Sequence, residues 1–187
     1  MIDDESQHYL YRDLVPSTDP ILREATPRFD FNNPPMDPHE LAHILAQTMI
    51  KNDGFGLAAP QVGLPYRVFA VMGNPILCCF NPVIVDESED TLLMEEGCLS
   101  HPNLFVKIRR PQVIRIRYTR PDGVTVTEQY QDLTARVMQH ELDHLDGICH
   151  LNRANKIHLD QARNKAKKLL RENKKSSIIM PDRQLII

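Results

Sequence analysis

The segment His140-Glu141-Leu142-Asp143-His144 combines residue types that activate water on a metal ion. Residues four apart lie on one face of an α-helix, about one turn from each other. Both imidazoles can therefore bind one ion, and Glu141 can reach a water molecule on it. Chance could also place two histidines at this spacing on a surface helix. If the helix forms, the motif predicts a metal-assisted hydrolase that needs a third ligand.

The third ligand has two main candidates. His150 is one, because together with Gly147 it fits the spacing H-E-x-x-H-x-x-G-x-x-H of some zinc proteases. Cys98 is the other, since it lies among acidic and small residues in the segment 95–100 rather than in an apolar run. A thiolate donates more charge to a metal than an imidazole or a carboxylate does. Further downstream candidates are His158, Asp160 and Glu172. Spacing alone leaves the choice open.

Small residues dominate a third segment, Gly54-Phe55-Gly56-Leu57-Ala58-Ala59-Pro60-Gln61. They allow a backbone to approach a ligand closely, and Gln61 offers an amide donor and acceptor. On its own, the segment is more typical of a helix-to-strand loop that is packed with small residues.

The first of three predicted helices precedes this segment. Asp37 as N-cap and Pro38 in the first turn predict where the helix begins. It should end near Asp53-Gly54. Its expected core-facing stripe consists of Leu41, Ile44, Leu45, Thr48 and Met49.

The second predicted helix carries the histidine motif and runs from about 133 to 145. Asp132 or Thr134 is expected to cap it, and Gly147 to end it. Its apolar residues fall on neighbouring turns, so we expect the helix to be largely buried. A third helix is predicted at roughly 157–173.

The middle of the chain is predicted to form strands. Five segments are rich in Val, Ile, Phe and Tyr: 67–72, 76–86, 105–110, 113–119 and 125–131. The turn residues at 120–123 predict that the last two form a hairpin. Alternation in 113–119 indicates a sheet with one solvated face.

Length and composition indicate one globular domain over residues 1–187, with an extended N-terminal arm at 1–36, a basic C-terminal helix at 157–175 and a tail at 176–187. A net charge of −3 excludes general attraction to nucleic acid. The acidic N-terminus is unlike a signal peptide, and no apolar run is long enough to span a membrane. The expected location is the cytoplasm, or the host-cell cytoplasm for a viral protein. Four cysteines without a disulfide framework are expected to be thiols.

Three motifs together resemble the peptide deformylase family: G-x-G-x-A-A-x-Q at 54–61, E-G-C-x-S at 96–100 and H-E-x-x-H at 140–144. They occur in the family's order, and the segment 19–23 also resembles its N-terminal region. The resemblance covers roughly residues 12–160. It implies an α+β fold in which mixed or antiparallel sheets surround a central helix carrying the H-E-x-x-H motif.

The resemblance also implies a ligand set and a reaction. Cys98, His140 and His144 would bind one divalent ion, Fe(II) in many family members and Zn(II), Ni(II) or Co(II) as alternatives. Glu141 would take a proton from the attacking water and deliver it to the departing amine. The Gln61 amide and the Leu99 backbone N–H would stabilise the charge on the formyl oxygen. The implied reaction removes formyl from the formyl-methionine of a nascent peptide and releases formate.

Substrate contacts are implied for several further residues. The methionine pocket would include Phe55, Leu99 and Val137, and the Gly56 backbone would pair with the extended peptide. The glycine-cysteine loop contributes Gly97, where an unusual backbone conformation is expected, and Glu96, which an arginine such as Arg110 would brace. The chain departs from the family pattern at His101, Phe105 and Arg136, which affects the expected substrate preference.

The expected partners are N-formylated nascent peptides and the ribosome, with the protein acting as a monomer. Residues 153–175 hold nine Lys or Arg against Asp160 and Glu172, so this segment is either a ribosomal RNA contact or a solvated helix face. Two other classes remain: a zinc metalloprotease, and a non-catalytic metal-binding or ribosome-binding relative. Intact Gln61 and Glu141 argue against the second.

Overall fold

The computed structural model describes residues 11–173 of the 187-residue chain. The elements in chain order are α1 (Pro38–Lys51), β1 (Gly56–Ala58), β2 (Val68–Val71), β3 (Leu77–Glu87), β4 (Thr91–Cys98), β5 (His101–Pro111), β6 (Val113–Thr119), β7 (Thr125–Gln131), α2 (Asp132–Leu145) and α3 (Lys156–Asn173). Short 3-10 turns occur at Pro20–Arg23, Ala59–Val62 and His150–Arg153. The predicted tail, the first ten residues of the arm and the last two of the basic helix lie outside the described residues.

Capping and apolar spacing correctly predict α1. The Asp37 carboxylate accepts hydrogen bonds from the backbone N–H groups of His39 and Glu40, as an N-cap residue should. The helix ends at Lys51, slightly earlier than predicted. The predicted stripe is buried: Leu41, Ile44, Leu45, Thr48 and Met49.

A five-stranded antiparallel sheet has the order β1-β2-β3-β6-β7, which makes β1 an edge strand. Strands β6 and β7 form the predicted hairpin. In β6, Ile114, Ile116 and Tyr118 are buried, whereas Arg115 and Arg117 are exposed. The prediction of one buried and one solvated face is therefore confirmed.

A separate two-stranded antiparallel sheet consists of β4 and β5. Strand β4 is absent from the sequence-based predictions, and β5 begins earlier than predicted, at His101. The reason is the composition of β4, since Glu95, Glu96 and Gly97 are all uncommon in strands. Strand β1 was also missed, because three residues are too few to show a period.

Helix α2 contacts both sheets, through β1, β2 and β7 on one side and β5 on the other. This arrangement confirms the predicted α+β fold around a central helix. The predicted cap is wrong: Gln131 is the N-cap, without a side-chain hydrogen bond, and the Asp132 carboxylate instead accepts one from Gln112. Gly147 ends the helix as predicted, with a left-handed φ of 70°.

Helix α3 packs on the two-stranded sheet. Ala162 contacts the cluster of Val106 and Ile108, and Lys165 lies 3.5 Å from the Glu95 carboxylate. No helix within residues 11–173 is long and apolar enough to cross a membrane.

Candidate metal centre

Cys98, His140 and His144 come together at the junction of the two sheets. Cys98 is the last residue of β4, and both histidines lie on one face of α2. The ligand atoms of the three side chains all lie within 4.8 Å of one another. Cys98 Sγ is 3.3 Å from His144 Nε2, and each of the three residues is at most 3% exposed. Fold and helical spacing thus bring together the three residues implied by the resemblance.

The donor set fits one divalent ion. His140 Nδ1 is 3.0 Å from Glu96 Oε2, which leaves the buried His140 Nε2 without a hydrogen-bond partner among the described residues. A carboxylate on the far nitrogen of a metal-bound imidazole is the usual orienting arrangement. Burial raises the pKa of the Cys98 thiol and lowers that of His144. A bound ion would deprotonate the thiol, because its charge stabilises the thiolate.

Glu96 anchors a buried network of charges behind His140. Arg110 donates to both of its oxygens, with Nε 2.7 Å from Oε1 and Nη2 3.0 Å from Oε2. Arg136 Nη1 is 2.5 Å from Oε1. Burial alone would raise the pKa of Glu96, but the hydrogen bonds from His140 and Arg110 and the charge of Arg110 bring it below its usual range. Glu96 is fully buried and both of its oxygens are engaged by His140 and the two arginines, so the predicted bracing by Arg110 is observed, and contact of Glu96 with substrate stays a prediction.

Two further residues of α2 belong to this network. Arg136, noted in the sequence only as a departure from the family pattern, donates through its guanidinium to Glu96 and to the carbonyls of Ile108 and Leu92. Asp143 lies inside the H-E-x-x-H motif, is buried, and accepts from Arg110 and Arg153. One signal in the sequence pointed to this network. Many positions of α2 that are buried in the fold carry polar or charged residues, and such residues need partners inside the protein.

The Gln61 side chain is held in place by both of its polar atoms. Its Oε1 accepts from the Ala58 backbone N–H at 2.8 Å, and its Nε2 lies 3.2 Å from Ser100 Oγ and 3.8 Å from Cys98 Sγ. The amide N–H groups therefore face the cysteine. Ser100, the last residue of the E-G-C-x-S motif, had no predicted role.

Glu141 lies close enough to Cys98 for its charge to raise the pKa of the thiol. Both of its carboxylate oxygens are buried and lack a hydrogen-bond partner among residues 11–173. Burial raises the pKa of Glu141 well above its usual range. A divalent ion at Cys98 would lower that pKa again, because it stabilises the carboxylate. The side chain is thus available for a ligand rather than engaged in the fold.

The remaining predicted substrate residues surround this position. Gly56 lies in the edge strand β1. Phe55 packs against the apolar cluster that contains Val137 and Met138 of α2. Leu99 packs on the α1 cluster instead. Gly97 has no left-handed φ, but it lies at a register shift between β4 and β5, where the strand pairing is irregular.

Alanine at Gly56 is expected to displace the Glu141 carboxylate and to lower any hydrolytic activity that depends on it. An added Cβ would overlap Glu141 Oε1 and lie 2.7 Å from Val137 Cγ1, so the carboxylate must move. Small misplacements of reacting groups cost about 10²-fold in rate. The measurement is kcat/KM for Gly56→Ala on a formyl-methionyl peptide, the substrate that the resemblance implies, with Val124→Ala at the exposed β6–β7 turn as control. Equal kcat/KM for Gly56→Ala and the unmodified protein would contradict this.

Comparison with known proteins gives one consistent family. A family model for polypeptide deformylase matches residues 11–160. The peptide deformylase of Thermotoga petrophila is 41% identical over 139 residues, 72% of this chain and 82% of the relative. That of Bartonella tribocorum is 35% identical over 177 residues, 90% and 98% of the two chains.

Solved structures agree with this assignment. The crystal structure of a peptide deformylase from Synechococcus elongatus in complex with actinonin matches with a TM-score of 0.76 and 32% identity, covering 83% of this chain and 86% of that one. The comparisons support neither a metalloprotease nor a non-catalytic relative. Their matches, together with the three motifs now assembled at one site, show that the chain belongs to the peptide deformylase family, whose members are metal-dependent hydrolases.

Proposed function

We propose that this chain removes the N-formyl group from the N-terminal formyl-methionine of newly made polypeptides and releases formate. One observation carries the proposal: the Cys98, His140 and His144 ligand atoms, mutually within 4.8 Å, adjoin a buried Glu141 whose oxygens have no partner in the described fold. A purely structural metal site would need no such carboxylate.

The ion, when bound, supplies water activation and polarisation of the formyl oxygen. Glu141 accepts the proton of the attacking water through a carboxylate oxygen and later delivers it to the departing amine nitrogen. The Gln61 Nε2–H and the Leu99 backbone N–H donate hydrogen bonds to the formyl oxygen as charge develops there. Breaking the C–N bond then yields formate and a peptide with a free amino terminus.

The methionine side chain is proposed to contact Phe55, Leu99 and Val137. Gly56 supports this arrangement because it belongs to the edge strand β1, where an extended peptide can pair with the backbone. Gly97 lies buried beside Cys98 and leaves room for the peptide. Glu96 contributes by orienting His140.

The test is an assay on protein purified without oxygen and loaded with a single metal. We propose Fe(II) as the ion in vivo, with Zn(II), Ni(II) and Co(II) as substitutes, since two imidazoles and a thiolate suit all four. Formate release from a formyl-methionyl peptide is the expected result. Peptide-bond cleavage of an unformylated peptide, with no formate from its formylated counterpart, would contradict the proposal.

Replacing Gln61 with alanine is expected to lower kcat by about 10²–10³-fold, because one donor to the developing oxyanion is lost. The KM should change much less, since the ground-state carbonyl carries little charge. Steady-state kinetics of Gln61→Ala measures both, with Gln129→Ala in the distant strand β7 as control. An unchanged kcat would show that Gln61 does not stabilise the developing charge on the formyl oxygen.

We further propose that the protein is a cytoplasmic monomer, a single catalytic domain over residues 1–187, and that α3 docks on ribosomal RNA. Arg163 and Lys167 are both exposed on α3. Replacing both with glutamate is expected to weaken ribosome association. The slope of the logarithm of the association constant against the logarithm of the salt concentration should become shallower by about 2. The double variant Arg115→Glu/Arg117→Glu changes the net charge equally on another face and serves as control. Unchanged association after deletion of residues 157–187 would contradict the docking.

A further inference from the structure

A second set of metal-ligand side chains adjoins the first. The ligand atoms of Cys98, His101 and His150 also lie within 4.8 Å of one another. His101 pairs with Cys98 across the β4–β5 turn, and His150 begins the 3-10 turn that follows α2. The His150 ring lies 5.2 Å from the His140 ring and 5.6 Å from the His101 ring, between centroids. Cys98 therefore belongs to both sets.

Two nitrogens of this second set have no partner. His101 Nδ1 and His150 Nε2 are buried and make no hydrogen bond to any described residue. His150 is 1% exposed, so bulk water does not replace the missing partner. Buried polar atoms are rarely left in this state. Both imidazoles, which lie beside a thiol, therefore have a nitrogen free to act as a ligand atom.

Cys149 contacts both rings. Its Sγ lies 3.8 Å from His101 Nε2 and 3.9 Å from His150 Nδ1. These contacts occupy one nitrogen of each imidazole and leave His101 Nδ1 and His150 Nε2 free. An outer contact that holds the far nitrogen of a histidine is the arrangement that metal sites use.

We propose that Cys98, His101 and His150 bind a second divalent ion, so that the Cys98 thiolate bridges two ions. Two imidazoles and a thiolate favour a borderline ion such as Zn(II), Co(II) or Fe(II) over Mg(II) or Ca(II). The inference rests on the proposed function in one respect, namely that Cys98 is a thiolate ligand of the first ion. It goes beyond that function, because deformylation needs only one ion.

A cavity adjoins one of the three proposed ligands. Its volume is about 360 Å³, and its lining includes His101, His144, Cys149, Arg23, Leu22 and Leu159. The cavity lies between the N-terminal 3-10 turn and α3, away from the edge strand β1. A buried metal site needs an entry path for the ion. With three protein ligands, the fourth coordination position stays open unless another side chain fills it.

Metal stoichiometry tests the proposal without relying on activity. The full-length protein is titrated with Co(II) without oxygen, dialysed and analysed for cobalt per chain. The unmodified protein is expected to hold two ions, and His150→Phe and His101→Gln one each. His43→Gln, which removes an exposed histidine of α1, is the matched control and should keep two. The thiolate-to-cobalt absorption should change again on addition of the second equivalent, because the same sulfur bonds both ions.

The outcomes separate this inference from the proposed function. One ion per chain at saturating Co(II), or two ions in both His150→Phe and His101→Gln, would overturn the second site even if formate release is normal. Cys98→Ser with two ions would overturn the bridge. Two ions in a protein that releases no formate would overturn the function and leave the second site standing.

Discussion

Replacing Glu141 with glutamine is expected to lower kcat/KM for a formyl-methionyl peptide by about 10²–10⁴-fold while the metal stays bound. Glutamine preserves the shape of the side chain but cannot accept the proton of the attacking water. The side chain of residue 141 has little room to move, because the backbone of Gly56 packs closely against the carboxylate. The loss should therefore reflect proton transfer rather than repacking.

Two measurements separate these effects. Metal content per chain should match that of the unmodified protein, because Glu141 is absent from both ligand sets. The acid limb of the pH profile of kcat/KM should disappear in the residual activity, since it reports the protonation of this base. Glu89→Gln, at an exposed position before β4, is the control. Full activity in Glu141→Gln would assign the base to another group.

The part of the site that could be predicted is the part encoded locally. His140 and His144 are about one helical turn apart and Glu141 directly follows His140, so the convergence of the two imidazoles follows from helix geometry alone. Cys98 was only one of several candidates by spacing, and the resemblance was needed to choose it. Its position depends on β4, whose strand character is hidden because Glu96 is stabilised by Arg110 and Arg136 from distant parts of the chain.

His150 illustrates the opposite case, in which a local pattern misleads. Its spacing from His140 and His144 fits a zinc protease, but Gly147 ends the helix in a left-handed conformation. The chain then turns toward Cys98 and His101, and His150 is not part of the His140–His144 set. The structure therefore gives no support to His150 as the third ligand of that ion. The spacing in the sequence does not show which way the chain runs after Gly147, and that direction decides which residues His150 meets.

Replacing Glu96 with alanine is expected to lower the free energy of unfolding by about 3–5 kcal/mol, the usual cost of removing one partner from a buried ion pair. The change leaves the buried Arg110 and Arg136 guanidinium groups short of a counterion. It also frees His140 Nδ1, so metal affinity should fall by about 10–100-fold. Urea unfolding and competition with a chelator measure the two effects. Glu95→Ala in the same strand removes a partly exposed pair with Lys165 and should cost no more than about 1 kcal/mol.

The destabilisation by Glu96→Ala is expected to depend on pH in a definite direction. Destabilisation by lost packing alone would not depend on pH in this way. The pKa of Glu96 is lower in the folded protein than its ordinary value of about 4.3. Its stabilisation is therefore fully present above that ordinary value and is lost as the pH falls toward the lower folded pKa. The difference in unfolding free energy between Glu96→Ala and the unmodified protein should stay constant from pH 7 to about 5 and shrink in stronger acid. A difference that persists unchanged in strong acid would mean that lost packing, rather than the carboxylate charge, causes the destabilisation.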